Sequence, residues 1–170
     1  WLVTVDKGAW RLASDGDGEP RIAEVLDQGA GVPTHLVRTI HEGIDGTLWI
    51  GTSDRGLLRG EPSAAGRRFV PLGPAEGLPD LEVFALMTDA QGNLWVGTAV
   101  AGLVRLAVDG LTSWGTAEGL DPPAVYAFRD DSRDGLVVVL DGLRFAALRG
   151  GRIADRWRPV PELARASGWG

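Results

Sequence analysis

The chain has 170 residues, enough for one domain with its own core, and its 44% hydrophobic and 24% charged residues are an ordinary globular balance. A formal net charge of −6 argues against nucleic acid, whose phosphates need a basic face, and the lack of cysteine excludes disulfides and thiolate metal sites. No apolar run reaches the roughly 18 residues that cross a bilayer, and no secretory signal is recognisable in these residues.

Glycine is the compositional anomaly. Its 25 residues, joined by 10 prolines, are about twice the usual glycine share and predict many tight turns between many short strands. Internal periodicity then organises the chain. In the first stretch, 1–28, Trp1, Thr4, Asp6 and Gly8 foreshadow Trp49, Thr52, Asp54 and Gly56 by 48 residues (1 to 49). The second, 29–72, carries Gly31-Val32-Pro33, Val37, Leu48-Trp49-Ile50-Gly51-Thr52 and Gly56-Leu57-Leu58-Arg59. The third, 73–116, repeats all four blocks at an offset of 46 (49 to 95): Gly77-Leu78-Pro79, Val83, Leu94-Trp95-Val96-Gly97-Thr98 and Gly102-Leu103-Val104-Arg105. In the fourth, 117–158, Gly119-Leu120 and Val125 follow at 42 (77 to 119), but Leu136-Val137-Val138-Val139 replaces the tryptophan block. Residues 159–170 form a tail or the start of another unit, with room for one helical turn at 161–167.

Each unit reads as four strands. In the third they are Val83 to Thr88, Asn93 to Thr98, Leu103 to Ala107 and Leu111 to Trp114. Asp89-Ala90-Gln91-Gly92 supplies a turn between the first two, and Asp109-Gly110 a hairpin between the last two. Asp15-Gly16-Asp17-Gly18 and Gly150-Gly151 fill the hairpin place in other copies. No stretch sustains a helical period. Four strands in a unit of 40 to 48 residues define a β-propeller blade. The expected fold is therefore all-β: four-stranded antiparallel sheets in about four blades. The first (1–28) is incomplete, 29–72 and 73–116 are regular, and 117–158 is degenerate. Trp49 and Trp95 are expected to fill the layers between blades, each burial contributing about 2–3 kcal/mol. Gly51 and Gly97 should mark close approach to the adjacent blade, and Thr52 and Thr98 should hold the strand ends by their hydroxyls.

The same blocks resemble the two-component regulator propeller repeat of bacterial sensor proteins. The pattern of that family runs Gly-Leu-Pro, Val, Asp-x-x-Gly, Leu-Trp-(Ile/Val)-Gly-Thr and Gly-Leu-x-Arg. It is matched closely over 77–116, well over 31–72, and partly at both ends. The resemblance implies a piece of a larger, seven-bladed propeller in the extracytoplasmic (periplasmic) part of a transmembrane receptor. Such receptors end in a kinase or other output domain, bind glycan fragments and signal through dimer geometry. The implied partners are further blades or a second subunit, with a homodimer in the parent. A small molecule or oligosaccharide is the implied ligand. No cofactor, nucleic acid or direct membrane contact is expected of this segment. A partial ring bares apolar blade faces, so the chain by itself is expected to associate.

Ligands of propellers meet the loops at one mouth. Loops into the innermost strand give Thr34, His35 and Leu36; Asp80, Leu81 and Glu82; and Pro122, Pro123 and Ala124. The loop between strands two and three gives Ser53, Asp54 and Arg55, matched by Ala99, Val100 and Ala101. On the innermost strand, Arg38, Phe84 and Tyr126 share one repeat position amid conserved-type neighbours. An arginine with two aromatics could stack on a sugar ring and bond its hydroxyls, although Phe84 and Tyr126 also fit an inter-blade core. The candidate ligand-binding set is Arg38, Phe84, Tyr126, His35, Asp54, Arg55, Asp80 and Glu82.

His35 and His41 lack the convergent partners that metal or acid–base chemistry needs. Asp15 to Glu19 has the look of a calcium loop without its third oxygen donor or distant glutamate, and a hairpin turn accounts for it. Asp130, Asp131 and Asp134 fit an expanded turn, and Arg67-Arg68 a solvated strand edge. No nucleophile elbow, phosphate-cradling loop or zinc helix is present. Three readings follow: a ligand-sensing propeller segment of a signalling receptor, a protein-docking propeller, or a propeller lyase akin to streptogramin lyase. No catalytic or metal residue is expected.

Overall fold

The computed structural model describes residues 1–157 except 5, 15–17, 35, 65, 122 and 132–134. The expected helical turn at 161–167 lies outside the described residues, as do His35, Pro122, Asp134 and Asp15 to Asp17 of the calcium-like loop.

Among the described residues fifteen strands form four antiparallel sheets, each a simple meander. The first is β1 (Leu2–Val3), β2 (Ala9–Ser14) and β3 (Pro20–Leu26). The second is β4 (Val37–Glu42), β5 (Leu48–Thr52), β6 (Leu57–Ser63) and β7 (Gly66–Leu72). The third is β8 (Val83–Thr88), β9 (Leu94–Thr98), β10 (Leu103–Ala107) and β11 (Gly110–Trp114). The fourth is β12 (Val125–Asp131), β13 (Gly135–Leu140), β14 (Arg144–Arg149) and β15 (Arg152–Trp157). Helix among the described residues is limited to two 3-10 turns, Pro74–Glu76 and Asp141–Leu143. The hairpin in the third sheet differs slightly from expectation. Ala107 pairs Gly110, so Val108 and Asp109 make the loop and Gly110 opens the strand.

Period-two alternation sends successive residues of each strand to opposite neighbours. On β5, Leu48 and Ile50 join the core against the first sheet, whereas Trp49 faces the third. On β9, Leu94 and Val96 face the second sheet, whereas Trp95 faces the fourth. The core is thus three seams between four sheets, not one central mass. Val32, Leu78 and Leu120, from the loops ahead of each innermost strand, are fully buried plugs in successive seams. The two tryptophans occupy matching places, as the spacing predicted. Trp95 is buried, Trp49 half-buried.

The seams close tightly where glycine stands. A Cβ on Gly51 would lie 2.6 Å from Val83 Cγ1 of the next sheet, and one on Gly97 would lie 2.6 Å from the Val125 backbone oxygen. At the first seam Val3 takes the corresponding place and packs into the core. The bend after the second repeat strand is also copied from sheet to sheet. Thr4, Thr52 and Thr98 hydroxyls each donate to the carbonyl four residues on, of Gly8, Gly56 and Gly102, at 2.9 Å. Those hydroxyls also accept from Lys7, Arg55 and Ala101 N–H. The three glycines have φ of +73°, +71° and +89°, and a Cβ there would press within 2.6 Å of a carbonyl oxygen, so only glycine fits.

Candidate ligand-facing site

The innermost strands β4, β8 and β12 share an irregularity that the sequence pattern conceals. Val37 pairs Thr52 and Thr39 pairs Gly51, so Arg38 is an extra residue without a partner in the ladder. Phe84 is extra in the same way between Val83 and Ala85, and Tyr126 between Val125 and Ala127. A bulge re-aims its side chain out of the pleat. Three bulges at one repeat position therefore deliver Arg38, Phe84 and Tyr126 side by side.

They form a continuous ladder. Phe84 and Tyr126 stack with ring centroids 4.8 Å apart and planes 14° apart. The Arg38 guanidinium carbon lies 5.5 Å from the Phe84 centroid on the ladder's other side. Burial places the aromatics outside the inter-blade cores. Tyr126 is 48% exposed, Phe84 half-buried and Arg38 exposed, so the trio is a surface feature and no part of the three cores. Nearby polar groups orient the arginine. Its Nε donates to Ser53 Oγ at 2.6 Å and its Nη2 to Glu82 Oε1 at 3.1 Å.

The remaining candidates divide by what they do. Asp80 is a clamp: Oδ1 accepts from Glu82 N–H and Oδ2 from Val100 N–H, tying two mouth loops together. Thr34, at the same repeat position, accepts from Leu36 N–H. Arg55 pairs Asp54 Oδ2 at 3.4 Å, while Asp54 Oδ1 is buried without a protein donor among the described residues. His41 sits toward the other end of β4, where Nε2 meets Thr88 Oγ1 of the next sheet at 2.7 Å. Partial burial pulls its imidazole below the ordinary pKa, against the opposing charge of Glu42. Among the described residues no group of three or more histidines and acids could hold a metal ion.

The turn Asp89 to Gly92 serves the second tryptophan directly. Asp89 Oδ1 accepts from the Gln91 and Asn93 backbones, and Oδ2 accepts from Asn93 Nδ2 and from the Trp95 indole at 2.8 Å. Partial burial alone would raise this carboxyl, but these bonds outweigh it and hold it below the ordinary aspartate value. Sequence reasoning read Asp89 as a turn former only. It also missed Ser53 as the partner of Arg38, and the bulges. A period of 46 with neighbours of constant type was the one available signal for the bulges, since it marked the variable position.

One three-stranded and three four-stranded meanders, stacked through apolar seams, define this chain as a run of β-propeller blades. Residues 31–54 and 77–99, in the second and third sheets, match the two component regulator propeller family. No curated protein is similar in sequence. Solved structures share the fold. The extracellular domain assigned to the hybrid two component system BT4673 from B. thetaiotaomicron superposes with a TM-score of 0.64 at 14% identity, covering 89% of this chain and 22% of that one. The corresponding BT3049 domain gives 0.58 at 16%, covering 92% and 22%. A catalytically inactive virginiamycin B lyase from Staphylococcus aureus, with quinupristin, gives 0.59 at 14%, covering 94% and 59%. At these identities the likeness is one of fold. The chain spans about a fifth of the sensor domains' length.

Proposed function

We propose that this chain is a non-catalytic segment of the ligand-sensing propeller of an extracytoplasmic signalling receptor, and that a sugar-like ligand meets the Arg38–Phe84–Tyr126 ladder. The family of the two matched repeats supports the receptor role. The ladder carries the binding role: an exposed aromatic face with the Arg38–Glu82 pair at its end suits a ring with hydroxyls. In the parent receptor, further blades or a second subunit would cover the exposed Leu12 and Ile22 of the first sheet and Trp157 of the fourth. Among the described residues no helix is long and apolar enough to cross a membrane.

A lyase reading needs histidine and acids gathered at one mouth, and the one histidine among the described residues, His41, is spent on Thr88 away from the ladder. Thermal-shift screening against an oligosaccharide panel tests the proposal. A ligand at 100 times its Kd adds about 2.7 kcal/mol of stability, and Tyr126→Ala should abolish the shift while the variant remains folded. Absence of any shift, or an unchanged shift in Tyr126→Ala, would leave the docking-scaffold reading in its place.

A further inference from the structure

A second concave feature lies in the seam between the third and fourth sheets, toward the opposite end of β8 from Phe84. It is a groove of about 450 Å³ whose walls include Met87, Trp95, Trp114, Leu136 and Leu148, with Asp89 and Arg105 as its charged lining. That size falls within the roughly 300–1,000 Å³ usual for small-molecule sites. Trp95 and Trp114 pack together with centroids 5.6 Å apart, and Trp114 Nε1 donates to the Gly151 carbonyl across the seam. The groove is therefore spanned by a bond between the two sheets that shape it.

Arg105 is its unanswered charge. The side chain is half-buried, its Nε is buried without a hydrogen-bond partner, and it makes no ion pair among the described residues. The repeat supplies an internal comparison. Arg105 pairs in register with Trp95 as Arg59 does with Trp49, so each arginine lies beside the tryptophan on the face toward the next sheet. Arg59 bonds Glu61, which also takes Arg68 at 2.8 Å. Two residues after Arg105 stands Ala107, and its register partner is Gly110 where Glu61 has Arg68, so neither the acid nor the second arginine has a counterpart there. Asp89 does not substitute, because its two oxygens already take four hydrogen bonds from Gln91, Asn93 and Trp95. A half-buried guanidinium whose Nε is unpaired, beside a carboxylate already saturated by other donors, can take a carboxylate from outside, since such pairs are bidentate and charge-assisted.

We propose that this groove is a ligand site, separate from the ladder, for a small carboxylate-bearing molecule whose acid head pairs with Arg105 while its apolar body lies along the Met87, Leu136 and Leu148 wall. It does not depend on what the ladder binds.

The test titrates the chain with phenylacetate, glucuronate and acetate and with the matching neutral amides, reading tryptophan emission and thermal midpoint. At least one acid should bind, and its amide should bind about tenfold or more weakly, as loss of a charged hydrogen-bond partner implies. Arg105→Met should weaken the acid to the level of the amide, whereas Arg59→Met should leave acid binding unchanged. Equal response to acid and amide in the parent chain, no response to any of the three acids, or undiminished binding by a folded Arg105→Met would each overturn the proposal. The acid–amide comparison needs no variant, so it stands even where Arg105→Met does not fold.

Discussion

Gly97 and Val125 belong to different blades, yet a Cβ on the first would fall 2.6 Å from the backbone oxygen of the second and 2.8 Å from its Cγ1. The blades meet here at backbone distance, and the innermost strand of one sheet rests on the second strand of another. Gly51 makes the same approach one seam earlier, but its nearest obstacles are methyl groups of Thr39 and Val83, both at 2.6 Å. Methyls can turn aside, whereas a strand carbonyl cannot. Gly97→Ala should therefore cost about 1–3 kcal/mol, the usual toll of overpacking, and Gly51→Ala measurably less. Urea midpoints of the two variants decide it, and an equal or reversed order would be inconsistent with the seam geometry.

The turn that holds Trp95 should leave a mark on acid stability. Asp89 titrates below its ordinary value of 3.8 in the folded chain. Its contribution is then complete above the unfolded pKa and disappears as pH falls through the folded one. Asp89→Asn should lose about 1 kcal/mol at neutral pH, on the scale of net hydrogen-bond contributions, and show a flatter decline below pH 3.8. Stability curves of parent and variant from neutral pH downward provide the check.

The second blade lacks this anchor and can be given it. Gly43 stands at the repeat position of Asp89, and Asp45 at that of Gln91. There Asp45 caps Thr47 instead, through both its backbone N–H and its hydroxyl, and Gly43 lies beside the Trp49 indole nitrogen. The double change Gly43→Asp with Asp45→Gln rebuilds the third blade's turn and removes the side chain that a Cβ at 43 would strike at 2.8 Å. It should raise the unfolding free energy by about 1 kcal/mol. Combining it with Trp49→Phe, which deletes the indole donor, should cancel most of that gain.

His41 introduces a second pH dependence of a different kind. Its folded pKa lies below 6.5, because partial burial disfavours the imidazolium more than Glu42 favours it. Below pH 6.5 the unfolded chain takes the proton more readily, so stability should fall as pH drops from that value toward the folded pKa. His41→Met, which installs the residue found at the matching place in the third blade, Met87, should remove this slope. An unchanged slope would mean that the histidine titrates as it does in the open chain.

Most of the fold could be read from the sequence because the repeat reports packing directly. Tryptophan, glycine and threonine recur in one block since each seam needs a large apolar filler, a close approach and a hydroxyl-closed bend at fixed places. The same logic located Arg38, Phe84 and Tyr126 but could not orient them. A bulge is a matter of register between strands, and no residue type in Val-x-Thr or Val-x-Ala announces it. The division of the acids was hidden for a related reason. Whether Asp80 clamps a loop or faces a ligand depends on where Val100 N–H points, which belongs to the partner loop and not to Asp80 itself.

Alignment of the three bulges is the relation on which the sensing proposal rests. The chain has one tyrosine and four phenylalanines, so nuclear Overhauser contacts between tyrosine and phenylalanine ring protons can be assigned with a single Phe84→Leu variant. A strong contact that vanishes in that variant is the predicted result, from rings 4.8 Å apart. A well-folded chain with no such contact, or one that survives Phe84→Leu, would show that the innermost strands do not deliver these side chains to a common ladder.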